Sequence, residues 1–381
     1  MTNGGAFWVD QLSGRELVAL DPGRPTALVQ RPDVLVVGGG IVGVATAAAC
    51  EQAGLGSVLL IEADRLGAGA TGGAAGLLIP EAHHGTDPTA LVELGRSSLE
   101  RWRRLEETCP GGVGLVELDW VGLAPHPDGF VADPSPAVEW LDANQVAQLV
   151  PGLASATPGA VIRDQGRLNP QRALARLGAR LAQVATGVAA TAVGVRRGRV
   201  ASVSTSAGTI SPGAVVFATG GPPLVEGLDL SLPAALVKGH LIVTEPVALR
   251  LPGTVAPLAT QLEDGRLLGG GTLDVGDLSP TVRPEVIKAI CAELGAALPA
   301  LRGVGVTHRW CCFRPRHPDG LPVVDRIPGL DNAWITSGHF RTGILMGPAT
   351  GSILARWIST GQAPTDAAPW TIERLVMSSP G

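Results

Sequence analysis

The segment Asp33 to Glu62 constrains this chain more than any other. Asp33-Val34-Leu35-Val36-Val37 is a short apolar run that reads as a buried strand. It leads into Gly38-Gly39-Gly40-Ile41-Val42-Gly43, and Val44 to Ala53 is alanine-rich and helical. A second apolar run, Ser57 to Ile61, ends at Glu62, 19 positions after Gly43, with Ala63 next to it. Strand, GxGxxG, helix, strand and acid in this order form a dinucleotide-binding unit. Gly38 permits the tight turn, Gly40 lets a pyrophosphate reach the backbone, and Gly43 lets helix and strand pack closely. The N–H groups of Gly40, Ile41 and Val42 open the helix toward the phosphates, and Glu62 suits a ribose hydroxyl.

The unit does not by itself separate a nicotinamide from a flavin dinucleotide, and an NAD(P)-dependent dehydrogenase would share it. Two further segments favour FAD. Leu66-Gly-Ala-Gly-Ala-Thr71-Gly-Gly73-Ala-Ala75-Gly76-Leu77-Leu78 is a run of small residues whose backbone can press against a flat ring or a diphosphate. Ala214 to Gly221 is a strand ending in Ala218-Thr219-Gly220, where a returning sheet passes the nucleotide. Near the C-terminus, Trp334 to Gly338 is again a strand and glycine turn. It is followed by His339-Phe340-Arg341-Thr342-Gly343-Ile344-Leu345, from which a second helix starts. Its N-terminus can aim N–H groups at negative charge developing on a reduced flavin.

Together with Phe313-Arg314-Pro315 and Pro318-Asp319-Gly320-Leu321-Pro322, these segments resemble the FAD-dependent amine and amino-acid oxidases of the D-amino-acid oxidase group. The resemblance spans Asp33 to Ile358 and is nearest to the glycine oxidases. It implies a Rossmann-like FAD-binding domain of the GR2 type joined to an antiparallel-sheet substrate domain, an α/β plus antiparallel β fold. It also implies roles. Arg314 matches the arginine that clamps the substrate carboxylate, and Arg341 the arginine beside it. Gly38, Gly40, Gly43 and Glu62 match the ADP contacts, Thr71, Gly73, Ala75 and Gly76 the loop near pyrophosphate and ring, and Val188 a main-chain contact to adenine. Thr219, Gly220, Gly338, Thr342, Gly343, Ile344 and Leu345 complete the expected cofactor residues. Cys312 lies near the position where some members attach flavin covalently; non-covalent FAD is the expectation here.

Arg314 has an independent argument. Its neighbours Trp310, Cys311, Cys312, Phe313 and Pro315 are apolar. A guanidinium in such a setting needs a partner, and its planar fork matches a carboxylate.

The departures from the family point to the substrate. The alignment puts Ala256 and Leu258 where glycine oxidases carry histidine and tyrosine, and the chain has no tyrosine at all. With Leu77 and Leu273 as further apolar wall, the pocket is expected to be roomier than glycine needs. An N-substituted glycine fits that expectation, such as the N-carboxymethyl β-amino acids that some members are implied to cleave for antibiotic biosynthesis. Glycine, sarcosine or a D-amino acid is the alternative. The resemblance implies that hydride would pass to flavin N5, that the imine would hydrolyse to glyoxylate and amine, and that O2 would be reduced to H2O2. No residue is singled out as a catalytic base.

The rest of the chain excludes more than it adds. Net charge is −5, so there is no basic footprint for nucleic acid. No apolar run long enough to span a membrane and no signal peptide is apparent. Five scattered cysteines make no disulfide framework, which points to the cytoplasm. There is no CxxC or HExxH, and the adjacent His83 and His84 are poorly spaced as ligands; no metal is expected. Residues 1–31 read as a peripheral arm. The FAD-binding domain is expected from 32–80, 155–221 and 310–381, and the substrate domain from 81–154 and 222–309. Asn169-Pro170 reads as the cap and first residue of a helix carrying Leu174, Leu177, Leu181 and Val184. Val237 to Glu245 reads as a long strand in which Lys238 and His240 are structural.

Overall fold

The computed structural model describes residues 4–83, 87–123, 137–155 and 157–377. Its centre is a six-stranded sheet in the order Val323–Arg326, Ala333–Ser337, Ala214–Gly220, Val34–Val37, Val58–Ile61, Val184–Ala185. Every neighbouring pair is parallel except the first, Val323–Arg326 with Ala333–Ser337. Val34 to Val37 are buried on both faces, as a central parallel strand requires. The helices Ile41–Gln52, Thr89–Thr108, Pro170–Gly178 and Gly343–Thr360 share one apolar cluster on one face. A three-stranded antiparallel sheet, built on Ala190–Arg196 and Arg199–Thr205, shares the cluster on the other.

The second layer is a ten-stranded sheet whose longest antiparallel pair joins Ala235–Thr244 with Val306–Arg316, strands far apart in the chain. Its register opposes Val237 to Arg314, Gly239 to Cys312 and Leu241 to Trp310. Side chains alternate across a strand, so Trp310, Cys312 and Arg314 share one face with Gly239 and Leu241. Lys238 and His240 fall on the other. Lys238 is fully buried there, donating to Asp277 Oδ2 at 2.8 Å and to the Thr281 carbonyl at 2.7 Å. His240 meets Asp274 at 3.1 Å and accepts from the Arg283 N–H. Both are structural.

The domain boundaries differ from those expected. Gly159–Arg167 and Val306–Arg316 belong to the second sheet, not the nucleotide-binding one. Leu77–Leu78 joins that sheet too, pairing with Arg167 and Gly166. Conversely, helix Thr89–Thr108 packs Leu91, Leu94, Leu99 and Trp102 into the nucleotide-domain core. Apolar periodicity marks a strand or helix but not which sheet receives it, and this chain crosses between layers several times. The helix capped by Asn169 forms as read, with Asn169 Oδ1 accepting from the Gln171 and Arg172 N–H groups and Pro170 at its first turn. It ends at Gly178, so Leu181 and Val184 lie beyond it.

Within the segment expected to be a peripheral arm, residues 4–31 pack against the body of the protein. Gly4–Val9 and Gly14–Leu20 are helices, the second closed by a capping box between Ser13 and Glu16. Phe7 and Trp8 are each 1% exposed and pack with Leu241, Leu268 and Trp310. The apolar runs Ala6–Val9 and Leu17–Leu20 are too short to show a period, yet two aromatic rings can anchor a segment by area alone.

Candidate active site

A cavity of about 860 Å³ opens between the two layers, at the carboxyl ends of the parallel strands. Ligands of open α/β sheets bind in that position, and the volume is at the upper end of the roughly 300–1,000 Å³ usual for small-molecule sites. Gly38, Ala218 and Thr336, from three adjacent strands, reach its floor. Gly38 is at φ +117°, and a Cβ there would come within 2.8 Å of the Ala218 carbonyl carbon, so only glycine lets the strands converge. A Cβ at Gly43 would overlap the Gly38 carbonyl oxygen, which explains the close packing of helix on strand.

Two helix N-termini point into this one cavity. Helix Ile41–Gln52 begins at Gly40 without a side-chain cap, and helix Gly343–Thr360 begins at Thr342, also uncapped. Gly40, Ile41, Val42, Thr342, Gly343, Ile344 and Leu345 all line the cavity. Thr71 Oγ1 accepts the Ile41 N–H at 3.1 Å and ties the small-residue loop to the first helix. Glu62 holds the turn from the other side, its two carboxylate oxygens accepting from the Gly39 N–H at 2.6 Å and the Asp64 N–H at 2.9 Å. Each oxygen keeps a lone pair for a hydroxyl.

The second helix has an internal proline, Pro348, which leaves the Ile344 carbonyl without its i+4 donor. Trp102 Nε1 supplies one at 3.1 Å. Ser98 Oγ then bridges the next turn, donating to the Leu345 carbonyl and accepting from the Ala349 N–H. The end of the helix that faces the cavity is therefore fixed by helix Thr89–Thr108.

The cavity fits a flavin dinucleotide on several counts. One uncapped N-terminus suits a diphosphate, and a second suits a ring that gathers negative charge. Between them the Thr336 hydroxyl, in a residue 1% exposed, has no hydrogen-bond partner among the described residues. A buried hydroxyl left unpaired is costly, and a polyol joining ring to diphosphate would satisfy it. The Ala70–Gly73 turn and Ala74, Ala75, Gly76 and Leu77 form the facing wall. A Cβ at Gly73 would overlap that of Cys312, so the loop lies directly on the strand that carries Arg314.

Arg314 lines the cavity and donates through Nη1 to the Thr272 carbonyl at 2.8 Å. Among the described residues it meets no carboxylate within salt-bridge distance. Arg341 also lines the cavity, with Phe340 under its guanidinium at 5.3 Å and Asp87 3.9 Å away. Burial pulls the Arg341 pKa down, with Asp87 opposing and Arg314 adding to the shift. His339, also on the wall, is pushed down to about 3 by desolvation and then by His317, and is neutral at physiological pH. Beyond the arginines the wall turns apolar, with Leu77, Ile79, Trp120, Leu123, Ala256 and Pro257.

Several expected site residues fall elsewhere. Leu258 packs beside the substrate-domain core with Val255 and Ile290, because the chain turns there and directs Ala256 and Pro257, not Leu258, into the cavity. Leu273 is 53% exposed, outside the cavity. Val188 is buried against the nucleotide-binding sheet, its N–H donating to the Glu62 carbonyl. Ala63 is exposed past the strand end. Gly338, at φ +69°, makes room for the His317 ring and supports the wall from behind. Ile79, Trp120 and Thr336 were not foreseen as site residues. Trp120 and Ile79 come from distant segments with no local motif, whereas Thr336 stood within a recognised segment as an ordinary strand residue. Among the described residues no cluster of three or more His, Cys, Asp or Glu could hold a metal; His84 lies outside them.

Floor, two helix ends and a glycine-lined wall define a flavin-dinucleotide oxidoreductase. The chain belongs to the DAO family of FAD-dependent oxidoreductases, whose pattern matches residues 33–357. FAD is its cofactor, and amine or amino-acid oxidation its class of reaction. It is similar to the glycine oxidase of Pseudomonas aeruginosa, with 29% identity over 364 residues covering 88% of this chain and 97% of the relative. The glycine oxidase of Bacillus licheniformis is 28% identical over 363 residues, covering 88% and 95%. Among solved structures, glycine oxidase from Geobacillus kaustophilus superposes with a TM-score of 0.78 at 26% identity, covering 90% of this chain and 99% of that one. Among the described residues no helix is long and apolar enough to cross a membrane. Cys312 is buried and its thiol is pushed upward, first by desolvation, which disfavours the thiolate that covalent attachment would use.

Proposed function

We infer that this oxidase acts on the C–N bond of an N-substituted glycine, with N-carboxymethyl β-amino acids as the favoured class. The observation that carries the reading is Arg314, a cavity guanidinium with no carboxylate of its own among the described residues. It stands beside a wall that has alanine at 256. Arg314 binds the glycyl carboxylate, its free arm offering a charge-assisted bond. Arg341, whose one acidic neighbour among the described residues is Asp87 at 3.9 Å, is placed to meet a second anionic group. The apolar wall of Ile79, Trp120, Leu123 and Pro257 receives the N-substituent and keeps water from the amine.

FAD, when bound, would supply the hydride acceptor and the route for electrons to O2, giving H2O2. The chain's part is orientation: a clamped carboxylate fixes the Cα–H of the substrate, and a dry wall favours the neutral amine whose lone pair drives its departure. Among the described lining residues the one carboxylate is Glu62, at the opposite helix, and His339 is neutral and hydrogen-bonded to Thr350. This supports a reaction without a general base. The imine then takes up water and splits to glyoxylate and amine. All five cysteines are free thiols, which supports a reducing compartment such as the cytoplasm.

The test is anaerobic bleaching of the bound flavin by glycine, sarcosine, D-amino acids and N-carboxymethyl β-amino acids. The last are expected to bleach with the highest second-order rate constant. Faster reduction by glycine would remove the roomy-pocket reading and return the chain to glycine oxidation.

A further inference from the structure

We propose that the N-terminal segment, which precedes the part of the chain matched by the family, is a clamp that positions the cofactor loop. Trp8 Nε1 donates to the Ala74 carbonyl at 2.9 Å, and Trp310 Nε1 donates to the neighbouring Gly73 carbonyl at 3.0 Å. Gly73 and Ala74 both line the cavity. Two indoles, one from outside the shared family region and one from the Arg314 strand, therefore grip consecutive carbonyls of the loop.

The grip is braced from behind. Phe7 stacks on Trp310 at 5.9 Å, and Arg266 lies over the Phe7 ring at 4.9 Å. The Trp8 carbonyl accepts from Asn169 Nδ2 at 2.9 Å, which binds the clamp to the capped helix Pro170–Gly178. Glu16, two turns on, pairs with Arg176 at 2.9 Å on the same helix. Trp8 thus fixes the height of the loop above the strand bearing Trp310, Cys312 and Arg314. It touches neither cofactor nor substrate and acts through the Ala74 carbonyl, as a positioning residue.

Trp8→Phe removes the N–H donor and keeps an aromatic ring. Phe7→Leu disturbs the same cluster and leaves the donor in place. Both are expected to lower the melting temperature of the cofactor-free protein. Only Trp8→Phe is expected to weaken FAD, raising the Kd of reconstitution about five-fold, the equivalent of about 1 kcal/mol for one hydrogen bond. It should also alter the visible circular dichroism of the bound flavin, which Phe7→Leu should leave as in the parent. Trp310→Phe should match Trp8→Phe in both readouts. A Trp8→Phe variant that binds FAD within two-fold of the parent with an unchanged spectrum would overturn the proposal. So would a Phe7→Leu variant that weakens FAD equally, since the segment would then act through bulk stability. Both readouts concern FAD, so a failed substrate screen leaves them intact.

Discussion

Replacing Gly239 with alanine should disable Arg314 without touching it. Gly239 faces Cys312 across the antiparallel strand pair and lies beneath the Arg314 guanidinium. A Cβ at Gly239 would stand 2.6 Å from Arg314 Cζ. Optimal carbon–carbon separation is about 3.5–4.0 Å, so the fork must move by about 1 Å. The glycine has no positive φ, and the obstacle is the far end of a flexible side chain. Stability should therefore change little, and FAD, which Gly239 does not line, should bind as before. A misplacement of about 1 Å can cost on the order of 100-fold in rate, and a hydrogen bond to a charged group is worth about 1.5–3 kcal/mol. The expected fall in kcat/KM is about 10- to 100-fold.

The assay is anaerobic flavin reduction with the best amine from the screen, alongside titration of the oxidised enzyme with acetate as a bare carboxylate. Acetate should lose affinity by a similar factor. Arg314→Ala sets the limit, since stripping one member of a desolvated charge pair costs about 2–5 kcal/mol. In that background Gly239→Ala should add almost nothing, because the two changes act on one interaction. Additive losses in the double variant, or undiminished acetate binding in Gly239→Ala, would refute the placement of the carboxylate on Arg314.

Thr336→Val removes a hydroxyl that has no partner among the described residues; the cofactor-free form should be as stable or more so, while FAD binds about five-fold more weakly, measured by flavin fluorescence on reconstitution. Thr336→Ser should bind FAD like the parent. Ala256→Phe fills the apolar wall and should raise KM for bulky N-substituted glycines at least about ten-fold while sparing glycine, by the cost of overpacking; equal effects on both would place the substituent elsewhere. His339 has a folded pKa of about 3, below its unfolded value, because burial penalises its charge. The unfolded chain therefore takes up a proton that the folded one refuses. Stability attributable to His339 is full above about pH 6.5 and falls as pH drops toward 3, by at most about 1.4 kcal/mol per unit. His339→Asn should flatten melting temperature against pH in that window, though not abolish the slope, because burial also lowers the pKa of His317. Acid precipitation should leave all the FAD in the supernatant, in keeping with the raised Cys312 thiol.

What was legible in the sequence follows from how local each constraint is. Gly38, Gly40, Gly43 and Glu62 act within one strand–turn–helix unit, so spacing alone placed them, and the glycine-rich loop and the Gly343 helix start were equally local. Arg314 was legible because a lone guanidinium among apolar residues on a strand demands an anion. The wall opposite it was legible only at Leu77 and Ala256, since Ile79 and Trp120 reach it through the pairing of separate segments of the second sheet. The reading that put Ala256 and Leu258 side by side in the pocket was right for the first only, because the chain turns after Val255, presents Ala256 and Pro257 to the cavity and sends Leu258 to the core.

The same reasoning explains the N-terminal segment. Its two helices are six and seven residues long, too short to hold themselves in water, and neither shows a sustained apolar stripe. What orders them is the tertiary burial of Phe7 and Trp8 against Trp310, together with hydrogen bonds that end on Asn169 and the Ala74 carbonyl. A segment that takes part of its order from the loop it grips also helps to order that loop, because a contact free energy belongs to both partners. FAD, by fixing the loop from the cavity side, should therefore slow amide hydrogen exchange in Gly4–Val9 although it lines none of the cavity there. An exchange rate in that helix indifferent to FAD would separate the two.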